Sequence, residues 1–130
     1  MEAAAIFSSE KGLVNLFYKF TNSYDKLCLS SKDNDTAYFE NKESGKNEIF
    51  LHYVLDDVEY EFSYNFSEED VEEIRKYFKG YPIYLFYISY RGNLFLEEFF
   101  QSFVYFLEQQ EDFRLVKVLL HHPFDGLIPI

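Results

Sequence analysis

The chain has 130 residues, the usual size of one domain, and 48% of them are hydrophobic, so a disordered chain is excluded and a buried core is expected. The 12 Lys and Arg against 23 Asp and Glu give a net charge of -11, which argues against nucleic acid or an anionic membrane as a direct partner. The single cysteine, Cys28, excludes an internal disulfide and a thiolate metal cluster and fits a reducing compartment.

The sequence predicts neither a membrane helix nor a signal peptide. No stretch approaches the roughly 18 consecutive apolar residues that a membrane helix needs. The opening MEAAAIF lacks the basic start and the apolar length of a signal peptide. We therefore expect one cytoplasmic domain spanning residues 1–130.

The first third of the chain predicts short strands around one helix. EAAAIF (2–7) indicates a strand, and the next segment places apolar residues at helical spacing after an N-cap at Ser8 or Ser9. KLCLSS (26–31) and TAYFE (36–40) are typical of short strands bounded by polar turns.

The middle of the chain predicts a β-hairpin. EIFLHYVL and VEYEFSYNF indicate two strands on either side of Asp56-Asp57, and in the second of them apolar and polar residues alternate. A two-residue loop would set the core pairs Leu55–Val58, Tyr53–Tyr60, Leu51–Phe62 and Ile49–Tyr64, with His52 opposite Glu61 on the solvent side. A longer loop would reverse this assignment.

A short helix follows the predicted hairpin, and both of its ends are marked. In SEEDVEEIRKYFKG, Ser67 is a good N-cap and Gly80 suits a left-handed C-terminal cap. Val71, Ile74 and Phe78 are expected to face inward.

The last third predicts strand, helix and strand. IYLFYISY (83–90) and FRLVKVLL (113–120) are apolar strands, and a helix capped by Asn93 lies between them. This order indicates a right-handed crossover between parallel neighbours. HHPFDGLIPI is expected to be an irregular tail that covers an edge. The fold class predicted is therefore α+β, a single domain whose mixed, mainly antiparallel sheet is packed by about three helices.

The negative charge is concentrated in residues 48–73, which hold 10 acidic residues and no Lys or Arg. Helix starts and solvent faces of strands attract acidic residues without any functional reason. A single-sign surface would, however, speed encounter with a basic partner. The candidate partner-binding residues are Asp56, Asp57, Glu59, Glu61, Glu68, Glu69, Asp70, Glu72 and Glu73.

The sequence contains no recognisable catalytic or phosphate-binding motif. No nucleophile elbow and no glycine-rich phosphate loop occurs. Arg91, beside a helix start, suits an anion, and His121 with Asp125 suits a metal or acid-base site, but a plain turn explains each. We expect no enzyme activity, no cofactor and no metal.

In format, the chain resembles the immunity proteins of bacterial contact-dependent growth inhibition and related polymorphic toxin systems. The resemblance lies in one small acidic α+β domain rich in Phe and Tyr, above all in YPIYLFYISYRGNLFLEEFFQSFVYFLEQQEDFRLVKVLL. It implies that the chain binds one cognate toxin domain, frequently a basic nuclease, and neutralises it. Two alternatives stay open: a phage-type inhibitor that mimics nucleic acid, and a small-ligand-binding domain or enzyme using Arg91, His121 and Asp125.

Overall fold

A computed structural model describes residues 2–54, 58–91, 96–111, 116–122 and 126–129. The strands in these residues are β1 Glu2–Ser8, β2 Leu27–Lys32, β3 Thr36–Asn41, β4 Lys46–Tyr53, β5 Tyr84–Tyr90, β6 Val118–His122 and β7 Gly126–Pro129. The helices are α1 Leu13–Ser23, α2 Val58–Asn65, α3 Glu68–Tyr77 and α4 Leu96–Glu108. Within the described residues, no helix is long and apolar enough to cross a membrane.

The strands form one sheet in the order β2-β3-β4-β5-β1-β6-β7, and every described pairing is antiparallel. The predicted α+β single domain is confirmed, whereas the predicted mixed sheet is wrong. The reason is β1, which lies between β5 and β6. β5 and β6 run in the same direction, as a helical crossover requires, but they are separated by β1 instead of being hydrogen-bonded neighbours.

The predicted hairpin is also wrong, because residues 58–65 form helix α2. Strand β4 already pairs with β3 on one side and β5 on the other, so it has no edge left for a further strand. The alternating pattern also contains a four-residue repeat that suits a helix: Val58, Phe62 and Phe66 face the sheet, and Phe62 is buried. The predicted cross-strand pairs are therefore not formed; Leu51, for example, lies opposite Ala37.

The predicted irregular tail is wrong, because Gly126–Pro129 pairs with β6 as an edge strand. Helix α1 begins at Leu13 with Gly12 as N-cap, and no serine caps it; instead, the backbone N–H of Glu10 donates to Ser8 Oγ. The predicted cap Asn93 lies outside the described residues.

Helix α3 has the start predicted from the sequence. Ser67 Oγ accepts the backbone N–H of Asp70 at 3.1 Å. Gly80 has a φ of 84°, two residues after the C-cap Phe78, so the chain turns there in a conformation that favours glycine.

Helices cover both faces of the sheet and create two hydrophobic clusters. On one face α1 and α4 pack over the sheet around Phe17, whose ring meets those of Phe39, Phe86, Phe99 and Phe103 at centroid distances of 5.3 to 6.0 Å. On the other face, α2 and α3 pack against β1, β5 and β6. The buried members of this second cluster are Ala5, Phe7, Phe62, Ile74, Phe78, Leu85 and Leu119.

Replacing Phe17 with Ala should lower the free energy of unfolding by about 3 to 5 kcal/mol, because the ring is fully buried and a cavity remains. Denaturant unfolding monitored by circular dichroism measures this change. Tyr105→Ala on α4, where the side chain is 65% exposed, is the matched control and should change stability by about 0.5 kcal/mol or less. Equal losses for the two variants would contradict this packing.

Candidate partner-binding surface

From residue 58 onward, the acidic segment folds into two neighbouring helices on one face of the sheet. Glu59 and Glu61 belong to α2, and Glu68, Glu69, Asp70, Glu72 and Glu73 belong to α3. Both helices pack into the same cluster, so the candidate charges of α2 and of α3 belong to the same face of the sheet. The remaining two candidates, Asp56 and Asp57, lie outside the described residues.

Glu59 forms an intramolecular ion pair with Arg75 of α3 at the protein surface. The guanidinium donates to both carboxylate oxygens, with Nη1 to Oε1 at 2.9 Å and Nη2 to Oε2. This hydrogen-bonded pairing holds the pKa of Glu59 below its ordinary value. Arg75 lies two residues after the segment 48–73, which contains no Lys or Arg. Counting charges along the sequence therefore did not reveal the pairing.

Glu61 attaches α2 to the sheet. Its Oε2 accepts the hydroxyl of Tyr87 in β5 at 2.7 Å and also accepts from Asn65 Nδ2. Burial, reinforced by the Glu61 hydrogen bond and charge, raises the pKa of Tyr87 well above its ordinary value of 10.0. The Tyr87 ring lies between His52 and Phe66, with centroids 6.5 Å from each. His52 and Glu61, predicted to face each other across a hairpin, therefore both contact Tyr87.

Asp70 attaches α3 to β6. His121 Nε2 lies 3.1 Å from Asp70 Oδ2, and the edge of the imidazole meets the Phe66 ring at a centroid distance of 5.2 Å. The carboxylate only accepts, so the tautomer with hydrogen on Nε2 donates this bond. Asp70 and His121 thus position the helix on the sheet.

The other four acidic residues of α3 point into solvent. Glu68, Glu69, Glu72 and Glu73 are exposed, and none of them forms an ion pair with a described residue. Successive helical turns place Glu68 beside Glu72 and Glu69 beside Glu73, on the side of α3 away from the buried Ile74. The solvent-facing negative charge of the described surface is therefore carried mainly by α3.

Two tyrosines are exposed on α2, the helix that packs into the same hydrophobic cluster as α3. Tyr60 and Tyr64 are 63% and 72% exposed, and their ring centroids are 4.6 Å apart. The hairpin prediction placed both in the core, with Phe62. The signal that identifies them is their four-residue spacing, which aligns them on one helix face once α2 is recognised as a helix. We call Tyr60, Tyr64, Glu68, Glu69, Glu72 and Glu73 the acidic-tyrosine surface.

The alternative site at Arg91 and His121 is not assembled by the described residues. His121 and Tyr87 lie on opposite sides of Ala5, so His121 is two strands from β5. Arg91 is four residues beyond Tyr87, about 13 Å along the strand. Arg91 instead lies over the Phe50 ring, 5.5 Å from its centroid. Asp125 lies outside the described residues, among which no three His, Cys, Asp or Glu side chains converge as metal ligands.

Comparisons of the chain with protein-family models, with curated proteins and with solved structures each gave no match.

Replacing Tyr87 with Phe removes the hydroxyl that donates to Glu61. We expect the free energy of unfolding to fall by about 1 kcal/mol near neutral pH. The pKa of Tyr87 is higher in the folded protein than in the unfolded chain, so the protonated hydroxyl stabilises the fold below about pH 10, and this stabilisation is lost as the pH rises from there toward the folded pKa. The difference between wild type and Tyr87→Phe should therefore shrink above pH 10.

Urea unfolding of both proteins over a series of alkaline buffers measures this difference. Tyr105→Phe, at an exposed position, is the matched control and should follow the wild type throughout. A difference between wild type and Tyr87→Phe that stays constant into the alkaline range would show that the Tyr87 pKa is not raised by the fold.

Proposed function

We propose that this chain is an immunity-type inhibitor that binds a cognate, basic toxin domain through the acidic-tyrosine surface and neutralises it. The observation that carries the proposal is that two helices on one face of the sheet expose four carboxylates, on α3, and two mutually packed tyrosines, on α2. The resemblance seen in the sequence favours a nuclease as the toxin.

The carboxylates supply attraction at a distance. Four like charges on a helix about 15 Å long, in a protein of net charge -11, create a negative field that speeds encounter with a basic surface. A basic nuclease domain presents such a surface because it binds phosphate. The four carboxylates are available to a partner, since the charges that hold the helices in place are those of Glu59, Glu61 and Asp70.

The tyrosines supply the contact that persists after encounter. Tyrosine offers a large apolar ring with a polar hydroxyl and loses little conformational freedom on binding, so it is enriched among residues that dominate binding energy. Tyr60 and Tyr64 already pack on each other, which further reduces the ordering that binding requires. A guanidinium or ammonium group of a basic partner also finds two aromatic faces here.

The distribution of charge favours a protein partner over mimicry of nucleic acid. Duplex DNA carries one charge per roughly 1.7 Å over an extended length, and a mimic reproduces that spacing over a long surface. Here, three of the seven described candidate charges form hydrogen bonds to other side chains of the same protein. The other four lie on one short helix. The enzyme alternative is supported less, because Arg91 and His121 lie apart.

The proposal is tested by affinity capture of the tagged protein from its native cells at low and high salt, followed by mass spectrometry. We expect one basic protein to be retained. Salt should weaken its binding, and the protein should be inactive while it is bound. Release of that protein by DNA competing at the same site would favour nucleic-acid mimicry instead, and no retained protein at either salt concentration would count against the proposal.

Reversing Glu69, Glu72 and Glu73 to Lys should lower the association rate with the captured partner by about 10- to 100-fold at low ionic strength, because steering is lost. Glu59 and Glu61 are left intact, since replacing them would also loosen α2. Stopped-flow or surface-based kinetics measures the rate.

The matched control for charge reversal is the exposed trio Glu43, Glu108 and Glu111, each changed to Lys, which alters net charge by the same amount elsewhere on the molecule. We expect its association rate to stay within about threefold of wild type. If both triple variants slow association equally, the effect belongs to net charge and not to α3.

Changing Tyr60 and Tyr64 together to Ala should raise the dissociation rate by about 30-fold or more, with little change in association, because truncating an interface hot spot costs about 2 kcal/mol or more. Tyr105→Ala removes an equally exposed ring from α4 and should leave dissociation unchanged. Unchanged dissociation in the double variant would remove the tyrosine pair from the interface.

A further inference from the structure

A pocket of about 520 Å³ lies beside α2 and α3, separate from the acidic-tyrosine surface. It is bounded by the start of α2, the last turn of α3, the segment that leads into β5, and Lys11 between β1 and α1. This volume is within the range of sites that bind small molecules, which is about 300 to 1,000 Å³. Of the candidate partner-binding residues, only Glu59 contributes to its lining, together with its ion-pair partner Arg75.

Part of the pocket lining is apolar. Val54, Val58, Phe62 and Ile83 contribute to it, and Phe62 is 5% exposed while the other three are half-buried. A ring or short hydrocarbon group placed against these side chains would leave water for an apolar surface.

The charged part of the lining has an excess of positive charge. Lys11 and Arg75 are present together with Glu59. Glu59 takes one N–H from each terminal nitrogen of Arg75, which leaves three of the five guanidinium donors for another acceptor. Lys11 is exposed and forms no ion pair with a described residue.

Tyrosine hydroxyls add neutral donors to the lining. Tyr53 and Tyr84 are half-buried and Tyr81 is exposed. Burial, reinforced by neighbouring Tyr84, raises the pKa of Tyr53, so its hydroxyl stays protonated and able to donate. The lining thus combines apolar side chains with donors that suit a carboxylate.

We propose that this pocket binds a small organic anion, a carboxylate attached to a ring or short hydrocarbon group. The apolar part packs against Val58, Phe62 and Ile83, and the carboxylate accepts from Lys11 and from the free donors of Arg75. The excess of one positive charge favours this class over cations, and the apolar lining favours it over inorganic anions. This site is independent of the toxin-binding proposal, because it uses none of the tyrosines or carboxylates of the acidic-tyrosine surface.

The test is an NMR titration of the isotope-labelled full chain with phenylacetate, and in parallel with phenylacetamide, its neutral counterpart of nearly the same shape. We expect phenylacetate to bind with a Kd of about 1 mM, a usual value for so small a ligand, and to shift the resonances of Val58, Phe62 and Ile83. Phenylacetamide should bind several-fold more weakly. Equal binding of the two probes, or no shift at those residues with phenylacetate, would overturn the proposal.

Lys11→Met should weaken phenylacetate about two- to fivefold and leave phenylacetamide unchanged, because an exposed ion pair is lost. Lys19→Met removes the same charge from an exposed position on α1 and is the matched control. Ile83→Phe fills the apolar lining and should abolish binding of both probes, with thermal unfolding confirming that the variant is folded. Equal weakening by Lys11→Met and Lys19→Met would assign the effect to net charge and overturn the role of the pocket cations.

Discussion

Strand β1 occupies the middle of the sheet and hydrogen-bonds to β5 on one side and β6 on the other. Its residues Ala4 to Phe7 are all at most 3% exposed, because alternate side chains enter the two hydrophobic clusters. Small Ala4 and Ala5 leave room for the aromatic rings that the neighbouring layers contribute, while Ile6 and Phe7 fill the space around them. Both helical layers, and hence the surface on α2 and α3, depend on this strand being in place.

The acidic residues of α2 and α3 divide into two physical classes. Those in the first class form hydrogen bonds to a side chain of another element. Glu59 links the two helices, Glu61 links α2 to β5, and Asp70 links α3 to β6. Those on the outer face of α3 are exposed to solvent and accessible to a partner. A helix held by its own carboxylates can present further carboxylates rigidly, which lowers the ordering cost of an electrostatic interface.

Local signals were sufficient to predict some elements from the sequence and insufficient for others. The start of α3 was predictable because Ser67 caps the helix within its own turn. Helix α2 was not, because its alternating residues fit a strand and a helix alike, and only the occupation of both edges of β4 decides between them. The Glu59–Arg75 pair and the central place of β1 depend on contacts between distant segments. The distribution of charge along the sequence located the acidic segment. It could not show which acidic residues bond to other elements of the fold and which face solvent.

The central position of β1 also has a kinetic consequence. Ala5 pairs with Tyr87 and His121, so the sheet joins segments separated by most of the chain. Closing such large loops costs entropy before the contacts that compensate for it can form, so chains with this topology fold slowly. During synthesis, neither hydrophobic cluster can be completed until β6 has left the ribosome. Until β6 emerges, side chains of both clusters lack part of their apolar surroundings, and the repulsion between acidic residues, which outnumber basic ones by 11 in this chain, opposes association of nascent chains.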